Sequence, residues 1–321
     1  MERIIQLIHE NQSFILTGHT SPDGDAIGAS LGLGMALKKI GKDVTVLLEN
    51  IPNRYRYLPG QTLICTKNFD ALDCDVFIAL DCADDARIPD DVKPILKKAK
   101  HTVCIDHHMT NNGFADVNYI DANASSTSEM VYGIINSLTP PDYDIAVALY
   151  TGIVFDTGGF RFSKTNPTTL HAAAELLRTG IDFTSVYTSV LHAHSFEAGK
   201  ALGIVLGNMV RTMQHKIVYS FITKEEMTSA NVTRDDLEGI VQYLMTTDDA
   251  QAACFVYETE HAFRVSLRSI GPNVGAVAEM FGGGGHELAA GCEIKPDGKQ
   301  VLAIIQALMQ AVADFENKGT Y

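Results

Sequence analysis

The side chains best suited to chemistry in this 321-residue chain are carboxylates and imidazoles grouped in four short segments. The first segment, Gly18–Asp25 (GHTSPDGD), holds one imidazole and two carboxylates. The remaining three segments are Asp81, Asp106-His107-His108 and Asp156. Taken alone, each group is more simply interpreted as a turn or a helix cap. Four groups in the same topological position favour a shared site.

The surrounding sequence explains why these segments should meet. Apolar strand-like runs precede three of them, at Ser13–Gly18, Asp75–Asp81 and Thr102–Asp106, and a further run lies at Asp43–Leu48. Helical patterns such as Ala26–Ile40 separate the runs, which predicts an α/β fold with a doubly wound parallel sheet. Carboxyl ends of parallel strands gather at one edge, where ligands bind.

Convergence at that edge would bring together five carboxylates and three imidazoles. The carboxylates are Asp23, Asp25, Asp81, Asp106 and Asp156, and the imidazoles are His19, His107 and His108. Carboxylates this close repel one another unless a counter-charge is present. Mixed oxygen and nitrogen donors favour two divalent cations, Mn²⁺ first, with Mg²⁺, Co²⁺ and Zn²⁺ as alternatives. Paired metals about 3.5–4 Å apart are typical of phosphoester hydrolysis.

The rest of the chain predicts a second domain. After Ser125 the pattern is helical, and strand–helix alternation restarts beyond a predicted connecting helix at Leu191–Gly207. We therefore expect a larger α/β domain at 1–192, a connecting segment at 193–210 and a smaller α/β domain at 211–321. A helix is predicted over Arg234–Met245, and a strand over Ala262–Ser269.

Three small-residue or hydroxyl patterns have structural interpretations. Gly28, Gly32 and Gly34 are interpreted as allowing close packing of a helix on the sheet. The run Ser125–Ser128 is interpreted as a helix cap, with phosphate contact by its amides as the alternative. His192 and His194 are interpreted as structural.

Polar groups of the predicted smaller domain suggest phosphate binding. The run Gly282–Gly285, followed by His286, can expose backbone N–H groups to a phosphate or a base, and a flexible turn is the alternative. Arg264 and Arg268 lie four apart on a predicted strand, so they face the same side. Two guanidinium groups there can hold a terminal phosphate, and a solvated strand face is the alternative.

These motifs resemble a known family. The ordered set His19-xxx-Asp23-x-Asp25, Asp81, Asp106-His107-His108 and Asp156 resembles the four motifs of the DHH phosphoesterase superfamily. The run Gly282–Gly291 (GGGGHELAAG) resembles the signature of the accessory DHHA1 domain. In this order and at this length, they resemble the bacterial oligoribonuclease (nano-RNase) and 3′-phosphoadenosine-5′-phosphate (pAp) phosphatase subgroup.

The resemblance implies a role for each motif residue. The implied metal ligands are His19 and Asp23 for one ion, Asp25 and His107 for the other, Asp81 as the bridge and Asp156 completing the site. The implied catalytic residues are Asp81, His108, which faces the reacting phosphate, and Asp106, which orients an imidazole by a hydrogen bond. The predicted substrate-binding residues are Arg264, Arg268, Gly283, Gly284, Gly285 and His286.

The expected activity is Mn²⁺-dependent hydrolysis of short oligoribonucleotides to mononucleotides, together with removal of the 3′-phosphate of pAp. The alternatives are a phosphodiesterase for linear dinucleotides such as pApA or pGpG, a pyrophosphatase, and a non-catalytic nucleotide-binding protein. A homodimer is left open.

The composition of the chain argues against some classes of binding partner and favours one cellular compartment. With 25 Lys and Arg against 39 Asp and Glu, the formal charge is −14, which argues against long nucleic acids and anionic membranes as partners. Six cysteines without a CxxC pair predict buried free thiols. No signal peptide or apolar run of membrane-spanning length is present, so we expect a cytoplasmic protein.

Two further features have alternative interpretations. Tyr119, Phe160 and Phe162 can stack on a base, although core packing is favoured. Arg87 either contacts substrate or forms a surface salt bridge.

Overall fold

The computed structural model describes residues 1–49, 51–66, 69, 72–191, 195–214 and 216–318. The chain divides into two compact units, Met1–Ala193 and His194–Tyr321. Helix α8, Phe196–Gly207, lies in the predicted connecting segment and belongs to the second unit. His192 and His194 lie outside the described residues.

A parallel sheet organises the first unit, as predicted. Its six strands follow the spatial order β3-β2-β1-β4-β5-β6, and all pairs are parallel. The strands are β1 (Ser13–Thr17), β2 (Asp43–Leu47), β3 (Ile64–Cys65), β4 (Val76–Leu80), β5 (His101–Asp106) and β6 (Val117–Ile120). The edge strands β3 and β6 were not predicted, because they are short and only partly buried. Every residue of β4 is buried, as expected near the centre of a doubly covered sheet.

Helices flank this sheet. They are α1 (Glu2–Glu10), α2 (Gly24–Lys39), α3 (Lys93–Lys98), α4 (Thr127–Leu138), α5 (Tyr143–Asp156), α6 (Pro167–Leu177) and α7 (Phe183–Leu191). Side-chain caps fix where several of them begin: Asp23 accepts from the amides of Asp25 and Ala26, and Ser126 accepts from the amide of Glu129. The helix-cap interpretation of Ser125–Ser128 is therefore confirmed.

The closest helix contact in this unit involves the glycines of α2. A Cβ on Gly28 would lie 2.4 Å from the carbonyl oxygen of Ala148, and one on Gly32 would lie 2.6 Å from Leu149. Both neighbours belong to α5. The expectation of helix–sheet packing is therefore wrong for Gly28 and Gly32, which instead let two helices approach. It is correct for Gly34, whose Cβ would meet Val46 of β2 at 3.1 Å.

The second unit contains a mixed sheet in the order β11-β12-β10-β9-β8-β7. Its strands are β7 (Val210–Thr212), β8 (Ile217–Ile222), β9 (Ala252–Glu258), β10 (Phe263–Ser269), β11 (Gly284–His286) and β12 (Ala289–Ile294). Only β8 and β9 run parallel among the described pairs. Besides α8, its helices are α9 (Lys224–Ala230), α10 (Ile240–Leu244), α11 (Val274–Met280) and α12 (Gly298–Lys318).

The predicted helix over Arg234–Met245 is too long. The segment opens with one 3₁₀ turn at Asp235–Leu237, and α10 starts only at Ile240. Gly239 separates the two with a left-handed φ of +76°. A left-handed residue cannot continue a right-handed helix, so the segment breaks there.

The cysteine and membrane expectations can be compared directly with the structure. All six cysteines are free thiols, and five are buried, with Cys65 half-buried. None of the described helices is long and apolar enough to cross a membrane.

The α2–α5 contact generates a stability prediction. In Gly28→Ala, the added methyl would meet the backbone of Ala148 and Gly152, which cannot move aside as a side chain can. We expect the free energy of unfolding to fall by about 1–3 kcal/mol, measured by urea denaturation. The matched control is Gly133→Ala within α4, where the only near atom is Met1 Sδ at 3.9 Å. This control should be neutral or stabilising, and equal behaviour of the two variants would contradict the proposed contact.

Candidate active site

The structure brings all eight predicted acids and imidazoles of the first unit to the carboxyl edge of its parallel sheet. His19 follows β1, Asp81 follows β4 directly, and Asp106 ends β5. Asp23 and Asp25 begin α2, His107 and His108 follow β5, and Asp156 ends α5. Strand ends thus supply most of the cluster, and two helix ends complete it.

Seven of these side chains form three overlapping groups whose ligand atoms lie within 4.8 Å of one another. The groups are His19–Asp23–Asp81, Asp25–His107–Asp156 and Asp81–His107–His108. Asp81 and His107 each belong to two groups. Because shared ligands connect the three groups, the arrangement is one extended donor site.

Imidazole nitrogens face carboxylate oxygens throughout this site. His19 Nε2 lies 3.6 Å from Asp23 Oδ2 and 3.7 Å from Asp81 Oδ2. His107 Nε2 lies 3.5 Å from Asp81 Oδ1 and 3.0 Å from Asp156 Oδ2. His108 Nδ1 also lies 3.6 Å from Asp81 Oδ1, so the carboxylate of Asp81 has one oxygen toward His19 and the other toward His107 and His108.

Asp81 has an unusual backbone. Its φ is +59°, in the left-handed region that only Gly, Asn and Asp visit readily. Its amide donates to Ile105 O at 3.0 Å, and its Oδ1 accepts from Thr127 Oγ1 at 3.1 Å. The neighbouring strand and α4 thus hold a strained residue in place, as is common at functional sites.

Asp25 is fully buried and is held by backbone. Its two carboxylate oxygens accept from the amides of Thr127 at 2.6 Å and Ser128 at 2.9 Å, in the first turn of α4. The amides of Thr127 and Ser128 are therefore occupied by a carboxylate, so the alternative of phosphate contact is wrong for these two residues. Even so, burial and the nearby charge of Asp156 raise the pKa of Asp25 to about 7.

The other titratable groups show the same crowding of charge. Burial and the charge of Asp25 raise the pKa of Asp81 well above its usual value. Burial lowers the pKa of His19, but the hydrogen bonds to Asp23 and to the Thr20 carbonyl together with the charge of Asp23 outweigh it, so the pKa is raised. Burial also lowers the pKa of His107, and the hydrogen bond to Asp156 together with the charges of Asp25 and Asp156 raises it overall. Carboxylates and imidazoles are common ligands of divalent cations in proteins. The residues of this site therefore fit such ions.

His108 is positioned by a chain of hydrogen bonds. Its Nδ1 lies 2.7 Å from Asp106 Oδ1, in agreement with the expected orienting contact. The other oxygen, Oδ2, accepts from Asn111 Nδ2 at 2.7 Å. The same Asn111 amide donates to Cys82 O at 2.9 Å, and its carbonyl accepts from the amide of Gly113 at 2.8 Å. Sequence reasoning missed Asn111, because nothing in the motif marks a residue five positions away as a partner.

Arg87 also lies beside the site. Its carbonyl accepts from the amide of Thr20 at 2.8 Å, and its Nη2 lies 3.4 Å from His19 Nδ1. It forms no ion pair with any residue that the structure describes, which disfavours the surface salt-bridge interpretation.

The second unit places Arg264, Arg268 and His286 of the predicted phosphate-binding residues on one sheet face. Arg264 and Arg268 lie on the same face of β10, and the register pairs Arg268 with Ala289 and Ala289 with His286. Arg264 Nε is engaged by Glu293 Oε2 at 2.7 Å. Arg268 is half-buried, which lowers its pKa, and its described hydrogen bond is to the adjacent carbonyl of Leu267. Arg268 is therefore the more available of the two for an anion.

The glycine run is part turn and part strand, with Gly282 in a turn and Gly284 and Gly285 in a strand. Gly284 and Gly285 pair with β12 as part of β11. A Cβ on Gly283 would lie 2.2 Å from Gly291 O, and one on Gly285 would lie 2.6 Å from Ala289 O. Gly282 and Gly285 also have positive φ, at +76° and +143°. Close backbone approach explains Gly283 and Gly285, whereas a Cβ on Gly282 or Gly284 would have no described neighbour within 4 Å.

Comparison with known proteins agrees with this architecture. Residues 13–153 match the DHH family, N-terminal domain, and residues 214–314 match the DHHA1 domain. The fold is thus that of a DHH-type phosphoesterase. The chain belongs to the DHH family and carries a DHHA1 domain, which confirms the resemblance.

Named relatives extend over nearly the whole chain. It is 30% identical to the bifunctional oligoribonuclease and PAP phosphatase NrnA of Thermus thermophilus, covering 97% of this chain and 92% of the relative. The protein of that name from Bacillus subtilis is 27% identical over 95% and 97%. An exopolyphosphatase-related protein from Bacteroides fragilis has a similar crystal structure, with a TM-score of 0.89, 28% identity and coverage of 96% and 95%.

The contacts of Asn111 generate a testable prediction. In Asn111→Ala, the buried Asp106 oxygen and the carbonyl of Cys82 lose their donor, which should cost about 1–3 kcal/mol of unfolding free energy. The orientation of His108 should also loosen, so phosphoesterase activity should fall. Thermal unfolding and kinetics measure the two effects. The matched control is Asn118→Ala, an exposed residue whose amide donates to Ala115 O. Wild-type stability in Asn111→Ala would show that these hydrogen bonds contribute little.

Proposed function

We propose that this protein is an Mn²⁺-dependent phosphoesterase that hydrolyses short oligoribonucleotides to mononucleotides and removes the 3′-phosphate of pAp. The observation that carries the proposal is the single donor site of carboxylates and imidazoles at the sheet edge. The relatives that bear the names oligoribonuclease and PAP phosphatase support the substrate class, because they match 97% and 95% of the chain.

The three ligand groups suggest how the site holds two cations. His19, Asp23 and Asp81 form one ligand group, and Asp25, His107 and Asp156 form another. Asp81 reaches toward both imidazoles, so it is the residue we assign as the bridge. When bound, two divalent cations supply the charge that activates water and stabilises phosphoryl oxygens. Mn²⁺ suits the mixed donor set, with Mg²⁺ or Co²⁺ as alternatives.

The remaining residues act on the substrate or on its neighbours. His108 is only partly buried, and Asp106 holds its Nδ1, so its other nitrogen is available to donate to a phosphoryl oxygen. Asp106 is therefore a positioning residue for His108. Both roles agree with those implied by the family resemblance.

In the second unit we assign phosphate binding to the open face of β10, β11 and β12. Its candidate residues are Arg264, Arg268, Gly283, Gly284, Gly285 and His286. Arg268 is the main candidate because Arg264 is paired with Glu293. Among the glycines, the space beside Gly284 favours it over Gly283 and Gly285, whose hydrogens face backbone.

A substrate panel with Mn²⁺ tests the proposal. It should contain RNA of two to about ten nucleotides, pAp, pApA, pGpG and pyrophosphate. Highest kcat/KM for the short RNAs and pAp is the expected result. A preference for pApA or pGpG alone would indicate a dinucleotide phosphodiesterase, and hydrolysis of none would indicate a nucleotide-binding protein. The cytoplasmic location and a homodimer remain predictions.

Asp81 provides the sharpest test of the metal site. Asp81→Asn retains the side-chain shape and tolerates the left-handed backbone, yet loses the charge that the cations need. Because loss of an outer partner alone typically costs about 10–100-fold, loss of this ligand should lower kcat by more than about 100-fold. Calorimetric titration with Mn²⁺ should show weaker binding.

The matched control is Asp144→Asn, an exposed carboxylate at the other end of α5. It should bind Mn²⁺ and turn over as the wild type does. Excess chelator should abolish turnover of the wild type. Full activity in Asp81→Asn would contradict the bridging role.

The two arginines of β10 should differ. Arg268→Ala removes charge-assisted hydrogen bonds to a phosphate, so KM for short phosphorylated RNA should rise about 10-fold or more, with little change in kcat. Arg264→Ala should have a smaller effect, since Glu293 already engages this side chain. Steady-state kinetics of both variants measure the difference. Unchanged KM in both would refute phosphate binding by this face.

A further inference from the structure

One loop beside the acidic site has no role in the assignments above. It spans residues 157–166 and joins the end of α5 to the start of α6. The carbonyl of Thr157 accepts from the amides of Arg161 and Phe162, both at 2.9 Å, and the amide of Thr165 donates to Phe162 O at 3.0 Å. Thr157 Oγ1 is itself bound to Ile153 O of α5 at 2.6 Å. The backbone of this loop is therefore fixed relative to Asp156.

Phe162 presents an aromatic surface on this loop. Its ring covers Gly158, where a Cβ would lie 2.6 Å from the ring atom Cζ. The side chain is nevertheless 41% exposed. By contrast, Phe160 lies against Tyr150 with ring centroids 6.1 Å apart, and Tyr119 packs on the core. Core packing is thus confirmed for Phe160 and Tyr119, but it does not explain Phe162.

Two cations accompany this ring. The guanidinium carbon of Arg161 lies 5.4 Å from the ring centroid of Phe162. Lys164 Nζ lies 3.5 Å from the carbonyl oxygen of His107, a residue of the acidic site. Neither side chain forms an ion pair with a residue that the structure describes. Exposed cations left without a carboxylate partner favour an anionic ligand.

We propose that the loop of Arg161, Phe162 and Lys164 is a nucleoside-binding platform next to the reacting phosphate. A base stacks on the exposed ring of Phe162 in place of the Arg161 guanidinium that now lies over it, and Arg161 and Lys164 contact the phosphates on either side of the ribose. Aromatic stacking with basic neighbours is the usual way to bind single-stranded nucleic acid without base preference. Gly158, under the ring, is two residues from Asp156, so the platform holds the nucleoside that carries the scissile bond.

This inference rests on the proposed nucleotide substrate and adds a determinant of specificity. A phosphate compound without a base, such as pyrophosphate, gains nothing from the ring. The platform therefore favours nucleotides over purely inorganic substrates. Since every base has an aromatic face, it should discriminate little among the four bases.

Fluorescence provides a direct test, because the chain contains no tryptophan. In Phe162→Trp, the single indole reports on stacking. Titration with AMP in Mg²⁺ buffer should quench its emission saturably, whereas ribose 5-phosphate and inorganic phosphate should not. The matched control is Phe196→Trp, at a 75% exposed position of the second unit. Its emission should not respond to AMP.

Steady-state kinetics of Phe162 variants provide a second test. Phe162→Leu keeps an apolar side chain of similar size but removes the aromatic face, so KM for pApA should rise about 10-fold, with kcat nearly unchanged. Phe162→Tyr should restore the wild-type KM. The inference would be overturned if the emission of Phe162→Trp responded equally to AMP and ribose 5-phosphate, or to neither. A wild-type KM for pApA in Phe162→Leu would also overturn it. Because the titration needs no turnover, AMP binding without hydrolysis of any substrate would contradict the proposed function alone.

Discussion

Repulsion among buried carboxylates is the constraint on which the first unit depends. Three of the five acids of the site, Asp23, Asp25 and Asp106, accept two or more hydrogen bonds from groups that carry partial or full positive charge. Asp25 receives two backbone amides from α4, Asp23 receives the first amides of its own helix, and Asp106 receives Asn111 and His108. Asp81 is the exception, with one hydroxyl from Thr127 and imidazoles at 3.5 Å or more. The least compensated of the buried carboxylates therefore lies at the centre of the site, where cations would be shared.

The packing of α2 against α5 positions two of these carboxylates relative to each other. The glycines of α2 let it approach α5 so closely that Gly152 lies against the carboxylate of Asp25. A Cβ on Gly152 would lie 2.6 Å from Asp25 Oδ1 and 2.0 Å from Ser128 Oγ. Gly152 is also about one turn before Asp156 on the same helix. The α2–α5 contact thus fixes the positions of Asp25 and Asp156 relative to each other. The absence of a side chain at Gly152 is needed for the geometry of the site as well as for the packing of the core.

The sequence allowed prediction of the central strands and the acids that follow them, because buried apolar runs and charged turns are visible locally. The contacts of Asn111, Thr127 and Ser128 were not predictable, since they join segments that are adjacent only after folding. The glycine run shows the same limit. Its sequence indicates an unusual backbone, but only the pairing of β11 with β12 shows that Gly283 and Gly285 are required by close strand approach.

The formal net charge of −14 includes carboxylates that the structure buries in the site. Several acids are buried in the site rather than displayed on the surface, so the exterior is less acidic than the total suggests. Three cationic side chains near that site have no carboxylate partner among the described residues. They are Arg87, Arg161 and Lys164. Their reach is short, and Debye screening confines their attraction to about 8–10 Å at physiological salt. A ligand a few nucleotides long gains this attraction in full, while a longer polyanion must extend over a chain of net negative charge. Short-range cations on an acidic protein thus give a physical basis for selecting fragments by length.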